Sequence, residues 1–177
     1  MHNIPNHFVE QISDTEQLVH AVSIIPLEVV VRNAAAGSLC RRLGWKEGRR
    51  LSFPIVEYYY KDDSLGDPLL TEDHIYLLNI ATKEEVAELR SQSLMINTCL
   101  IKFLSSKQIK LIDFKLEFGR ASNNSILLAD EISPDTCRFW DFHTNKKLDK
   151  DRFRDSLGGV FEAYQEIYDR ILCIKYF

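Results

Sequence analysis

Ten consecutive residues constrain this chain more than any others: Ile109-Lys110-Leu111-Ile112-Asp113-Phe114-Lys115-Leu116-Glu117-Phe118. From Ile112 onward apolar and charged side chains alternate, and an extended strand is what turns successive side chains to opposite faces. Ile112, Phe114, Leu116 and Phe118 then share one face, and Asp113, Lys115 and Glu117 share the other. Asn123-Asn124 follows, and then a second apolar run over residues 125–130, so the pattern predicts a hairpin. Its far strand ends in Ala129-Asp130-Glu131 and brings further carboxylates toward the charged row. Such a row has two readings. It is the solvated outer face of a strand, or it holds a divalent cation beside a polyphosphate. Mg²⁺ takes one or two carboxylates and fills its octahedron with phosphate oxygens and water, and a lysine in the row neutralises phosphate charge.

Elsewhere the patterns are shorter. Residues 27–33 and 55–60 read as strands rich in β-branched and aromatic side chains. Leu39–Leu43 reads as a short helix that Gly44 ends. A polar loop spans residues 61–68. Thr82 and Glu85 make a capping box for a helix reaching about Ser105, with Val86, Leu89, Ile96, Leu100 and Phe103 on one face. A last helix, from about Lys150 to Ile171, carries Phe153, Leu157, Val160, Phe161, Tyr164, Ile167, Tyr168 and Ile171 at helical spacing, which predicts core packing. Strands and helices mix without regular βαβ alternation, so the class is α+β.

Composition narrows the function. With 22 Lys+Arg against 26 Asp+Glu the net charge is −4, which gives no hint of a basic face for duplex nucleic acid and leaves room for a local cationic pocket for a small phosphate. No apolar run approaches the ~20 residues of a membrane span, and residues 1–7 lack the basic and apolar regions of a signal peptide. Cys40, Cys99, Cys137 and Cys173 are far apart and read as reduced thiols. The five histidines form no metal-binding pair. No glycine-rich nucleotide fingerprint is present. The segment Arg32-Asn33-Ala34-Ala35-Ala36-Gly37-Ser38 reads either as an anion site before a helix N-terminus, with Arg32 forking onto a phosphate, or as a tight turn capped by Ser38. Arg138 and Trp140, two residues apart, suggest a surface cation–π pair.

Taken in order, several blocks resemble the SAICAR synthetase family. They are Pro26-Leu27-Glu28-Val29-Val30-Val31-Arg32-Asn33-Ala34-Ala35-Ala36-Gly37-Ser38, Lys61-Asp62-Asp63 with Gly66-Asp67-Pro68, Asp113-Phe114-Lys115-Leu116-Glu117, Ala129-Asp130-Glu131-Ile132-Ser133-Pro134-Asp135, Arg138-Phe139-Trp140-Asp141 and Leu148-Asp149-Lys150-Asp151-Arg152-Phe153-Arg154. The resemblance implies a larger lobe of ATP-grasp or kinase-like type, a mixed sheet flanked by helices. It also implies a cytoplasmic, ATP- and Mg²⁺-dependent ligase that joins L-aspartate to carboxyaminoimidazole ribonucleotide (CAIR), with no nucleic-acid or membrane partner. Residue by residue, it puts Arg32, Ser38 and Arg138 at the ribonucleotide's 5′-phosphate. It puts Glu117 and Asp130 on Mg²⁺, Asp113 and Lys115 at the reacting centre, Lys61 and Asp67 at the mouth, and Glu28 at the adenine. If Glu117 and Asp130 come from the two strands of the hairpin, they face each other across it.

The family's N-terminal β-rich lobe, with its Tyr-x-Gly-Lys loop over the ATP phosphates, has no counterpart in these residues. The expectation is a single catalytic domain over 1–177, the C-terminal portion of the family's chain. It binds ATP poorly alone and self-associates through an apolar edge, as a homodimer or with a separate N-terminal lobe. A fragment, one half of a split enzyme and a shortened relative are all compatible with this. The alternative functions are an ATP-independent ribonucleotide-binding or regulatory protein, or a different enzyme using the same phosphate and metal face.

Overall fold

A computed structural model describes residues 4–172. Its strands are β1 (Phe8–Gln11), β2 (Gln17–Val19), β3 (Ser23–Ala34), β4 (Arg50–Tyr60), β5 (Leu69–Leu70), β6 (Ile109–Arg120), β7 (Ile126–Ala129) and β8 (Cys137–Asp141). Its helices are α1 (Ser38–Leu43), α2 (Glu72–Leu77), α3 (Lys83–Ser106), α4 (Asp151–Arg154) and α5 (Val160–Leu172). β1 and β2 form an antiparallel hairpin of their own. The main sheet runs β5-β4-β3-β6-β7, with β8 also paired to β6. The α+β expectation holds.

The chain divides into two compact units. The first contains the segment ending at Val30, Val56–Ile96 and Leu116–Glu131. Its core includes Ile25, Leu27 and Val29 from β3, Leu116 and Phe118 from β6, and Val86 and Leu89 from α3, all buried. Gly119 has no side chain for a steric reason: a Cβ there would lie 2.4 Å from Cγ2 of Val22. The second unit contains Val31–Ile55, Asn97–Lys115 and the segment from Ile132 onward. Ala34, Ala36, Ile112 and Trp140 form one of its buried clusters.

The hairpin appears as read, with Ala121 accepting from Asn124 and donating to Ser125, and Asn124 at φ 64°. Thr82 and Glu85 do exchange hydrogen bonds at the start of α3. The outer part of the α3 stripe does not hold. Phe103 is exposed and Leu104 takes the buried place, because 3.6 residues per turn carry the stripe from Val86 through Leu89, Ser93 and Ile96 to Leu104. The single long C-terminal helix is also overturned. Gly158 and Gly159, at φ 66° and 61°, separate α4 from α5. A left-handed glycine pair cannot continue a helix. With the phase lost, Phe153 and Phe161 are 78% and 76% exposed, and only Ala163 and Ile167 of α5 are fully buried.

Of the two readings of the charged row, a solvated outer face does not hold at Asp113 and Glu117. Asp113 and Glu117 are buried on the charged face as thoroughly as Phe114 and Phe118 on the apolar one. A strand covered on both faces needs partners for its charges. A bulge between Leu111 and Asp113 interrupts the β6–β8 register and sets Asp113 opposite Arg138.

Candidate functional site

In the second unit, four side chains from four elements converge. Arg32 comes from the end of β3, Ser38 from the first residue of α1, Asp113 from β6 and Arg138 from β8. Arg32 Nη1 donates to Asp113 Oδ2 at 2.6 Å, and its Nη2 donates to Ser38 Oγ at 3.0 Å. Arg138 Nη1 donates to both Asp113 oxygens, at 3.0 and 2.9 Å. Arg32 and Asp113 are each only 4% exposed at the side chain. One carboxylate therefore holds two guanidinium groups side by side, a short charge-assisted arrangement out of bulk water.

Of the two readings of residues 32–38, the turn capped by Ser38 does not hold. Gly37 occupies the cap position instead, with no capping side chain, and Ser38 Oγ accepts from Arg32 and from Arg42 at 3.2 Å. Gly37 has φ 52°, and a Cβ there would sit 2.6 Å from Arg138 Nη2. The residue is thus required twice, once for its backbone and once for its missing side chain. Nor is Arg138 stacked on Trp140: Asp113 and Asp151 engage it.

Two acidic residues that the sequence left without a role complete this cluster. Arg138 Nε donates to Asp151 Oδ2 at 2.6 Å. Asp149, fully buried, accepts the backbone N–H of Phe139 and of Asp151, each at 2.8 Å. Burial opposes the Arg138 charge, but Asp113 and Asp151 more than offset it and raise its pKa. Burial also disfavours ionised Asp151, yet the Arg138 hydrogen bond prevails and lowers its pKa. Asp149 is pushed up to about 6 by burial, and the Asp151 charge adds to the rise. Cys137, next to Arg138, is driven up to about 12 by burial, which leaves it an inert thiol. Cys40, Cys99 and Cys137 are all unbridged, and Cys173 lies outside the described residues. Lys115 is half-buried, and its backbone N–H donates to Thr136 at 2.8 Å.

In the first unit, Lys61 Nζ donates to Glu117 Oε2 at 2.5 Å. The carboxylate is 7% exposed and the lysine 46%. Lys61 sits just past β4, its N–H donating to Pro26 of β3. The loop beyond it is closed by Asp67, whose Oδ1 accepts the Asp62 N–H at 3.0 Å and whose φ is 47°. Glu28 lies half-buried in β3. The β6–β7 register sets Glu117 opposite Ala129, not Asp130. Asp130 follows at φ 97°, outside extended geometry, so the expected face-to-face pairing of Glu117 with Asp130 across the ladder is overturned. A buried carboxylate beside a half-exposed ammonium, with Asp130 adjoining its cross-strand neighbour, still suits a hard cation that needs few protein oxygens. Among the described residues no three His, Cys, Asp or Glu side chains converge as a metal cluster.

The structure thus brings together Arg32, Ser38, Asp113 and Arg138 in one unit, and Lys61 with Glu117 in the other. Asp151, Arg42 and Asp149 were missed. Only the spacing Asp149-x-Asp151 beside a cationic strand could have signalled them, and an acid pair in a polar loop is ordinarily solvated.

A family model described as SAICAR synthetase matches residues 1–171. A phosphoribosylaminoimidazole-succinocarboxamide synthase of Bacillus mycoides is 61% identical over 168 residues, covering 95% of this chain and 70% of the relative. One from an Exiguobacterium species is 62% identical over the same share of this chain and 71% of its own. Among solved structures, a SAICAR synthetase in complex with ADP superposes with a TM-score of 0.95 at 48% identity, covering 99% of this chain and 75% of that one. The enzyme from Pyrococcus horikoshii gives 0.94 at 46% identity, covering 99% and 77%.

Proposed function

The chain belongs to the SAICAR synthetase family, and on that premise we propose that it joins L-aspartate to CAIR with consumption of ATP, giving SAICAR, ADP and phosphate in purine biosynthesis. The acyl donor is a carboxylate, and direct attack on it would expel oxide. Transfer of the ATP γ-phosphoryl to that carboxylate makes phosphate the departing group. The aspartate amine then forms the C–N bond as the C–O bond to phosphate breaks, and the amine loses a proton. Little covalent work falls to the protein. Its contribution is orientation of two anionic reactants and neutralisation of their charge.

The observation that supports this reading most is the convergence of Arg32, Ser38 and Arg138 on one spot, because two guanidinium forks and a hydroxyl are the donors a phosphomonoester takes. We assign them to the CAIR 5′-phosphate. Asp113, the internal anion between the arginines, yields part of its hydrogen bonding to the phosphate and accepts from the amine of the base. Lys115 serves the transferring phosphoryl group. Glu117 and Asp130 are the residues that would hold Mg²⁺, whose chemistry is to neutralise the polyphosphate. Lys61 and Asp67 line the entrance, and Glu28 meets the adenine. We place the reaction in the cytoplasm, in keeping with the lack of any described helix long and apolar enough to cross a membrane.

The test is SAICAR formation from CAIR, L-aspartate, ATP and Mg²⁺, followed by mass spectrometry, with ADP released one for one. Glu117→Gln should abolish turnover yet leave CAIR binding in place, since that binding rests on the arginines. A folded preparation that forms no SAICAR even when the family's N-terminal lobe is supplied overturns the reading.

A further inference from the structure

Arg138 offers three donor sites, and the structure gives each a different neighbour. Nη1 meets both oxygens of Asp113. Nη2 lies against Gly37, so close that a Cβ there would be 2.6 Å away. Nε meets Asp151 at 2.6 Å. A guanidinium held at Nε cannot rotate about its long axis, so its far edge stays turned to the Gly37–Ser38 turn. Asp151 is itself fixed, because its own backbone N–H is bound by Asp149, whose second oxygen binds the β8 backbone at Phe139. A buried carboxylate thereby ties the start of α4 to the strand that carries Arg138.

We propose that Asp151 is a positioning residue, with Asp149 as its anchor, which presents the Nη edge of Arg138 to the phosphate of the ribonucleotide. This rests on the phosphate assignment made above. Net charge cannot replace it. Arg32 and Arg138 are balanced by Asp113 and Asp151, so these four groups sum to zero. The pocket selects an anion through the direction of its donors. The two roles have opposite signs for a variant. If Asp151 acted through charge alone, removing it would add one positive charge to the site and tighten anion binding. If it acts by orientation, removing it weakens binding.

The experiment measures ribose 5-phosphate binding by calorimetry, together with the ¹H–¹⁵N signals of arginine Nε–H groups, on the 177-residue chain. In the wild-type protein Arg138 Nε–H should be protected from exchange, being hydrogen-bonded and shielded. Asp151→Ala should lose that protection and weaken ribose 5-phosphate about tenfold, the worth of one charge-assisted hydrogen bond. Asp151→Asn keeps an acceptor oxygen and should lose only about threefold. Arg154→Ala removes the other, longer ion pair of Asp151, at 3.5 Å, and should change nothing. Equal or tighter binding in Asp151→Ala, with Arg138→Ala clearly weakened, overturns the positioning role while sparing the phosphate site. Unchanged binding in Arg138→Ala instead overturns the phosphate assignment itself. Should Asp151→Ala fail to fold, the near-isosteric Asp151→Asn decides by the same two readouts, and undiminished protection and affinity there overturn the proposal.

Discussion

The arginine cluster of the second unit and the Lys61–Glu117 pair of the first contain the same chemistry in opposite states. Asp113 receives hydrogen bonds from two guanidinium groups, and all three side chains are at least mostly buried. Each charge in the cluster is fixed by more than one neighbour. Glu117 is equally buried, and it accepts from Lys61, a side chain that is 46% exposed. The lysine's own hydration offsets much of what the pair gains. The comparison shows where rigidity is placed. The arginine cluster is joined by several hydrogen bonds between buried groups, whereas Glu117 is paired with a side chain that reaches solvent.

Breaking the rigid side should have the larger consequence. Asp113→Ala removes the anion between Arg32 and Arg138 and leaves buried guanidinium charge uncompensated, which costs about 3–5 kcal/mol. Chemical denaturation would measure it, and a loss under 1 kcal/mol would place the cluster in the same class as the exposed pair. For the same reason Arg32→Ala is expected to lose stability as well as phosphate affinity, although a surface arginine in that role would affect binding alone.

Asp149 provides the pH test. Its pKa lies at about 6 in the folded protein against 3.8 for the free group. The folded state therefore holds a proton more readily than the unfolded one. Lowering the pH from 7 to 4 stabilises the protein through this group, by roughly 2 kcal/mol for a shift of that size. Asp149→Asn has no such proton to take up. Its stability should fall behind that of wild type as the pH drops from 7 to 4, and parallel curves would show that Asp149 titrates normally.

A smaller effect is expected at Gly37. An alanine there must adopt φ 52° and would press its Cβ on Arg138, at about 1–2 kcal/mol for the backbone alone. Thermal melts would report the stability. A loss of ribose 5-phosphate affinity larger than the loss of stability would show that the turn also shapes the Arg138 edge. Smallest of all is Lys61→Met. A half-exposed ion pair of this kind contributes about 0–1 kcal/mol, so denaturation should barely change. A loss above 2 kcal/mol would mean that the first unit's pair is as constrained as the second unit's cluster.

How much of this was legible beforehand depended on the range of the interaction. The hairpin around Asn123-Asn124, the capping box at Thr82 and the end of α1 at Gly44 are local, and each appears as read. The alternation of β6 put Asp113 and Glu117 on one face, but it could not say that the face is buried. Nor could helical spacing from Phe153 to Ile171 show that two glycines at positive φ break the phase. The site was legible as ordered blocks of residues, not as contacts. Arg32, Ser38, Asp113 and Arg138 were all marked, whereas the fork by which Asp113 joins the two arginines was not.

The sequence by itself determined much of β3, β4, β6 and β7, the hairpin turn, the α+β class and the family, because those rest on neighbours within a few residues and on motifs in fixed order. Only the tertiary structure decided which charges are buried and with whom. Asp113 meets Arg32 across 81 residues of chain; a bulge sets Asp113 opposite Arg138, and a buried carboxylate holds Asp151 beside it, neither of which any periodicity announces. An ion pair between distant segments is chosen by packing and desolvation, which act on the folded molecule as a whole and leave no local trace in the chain.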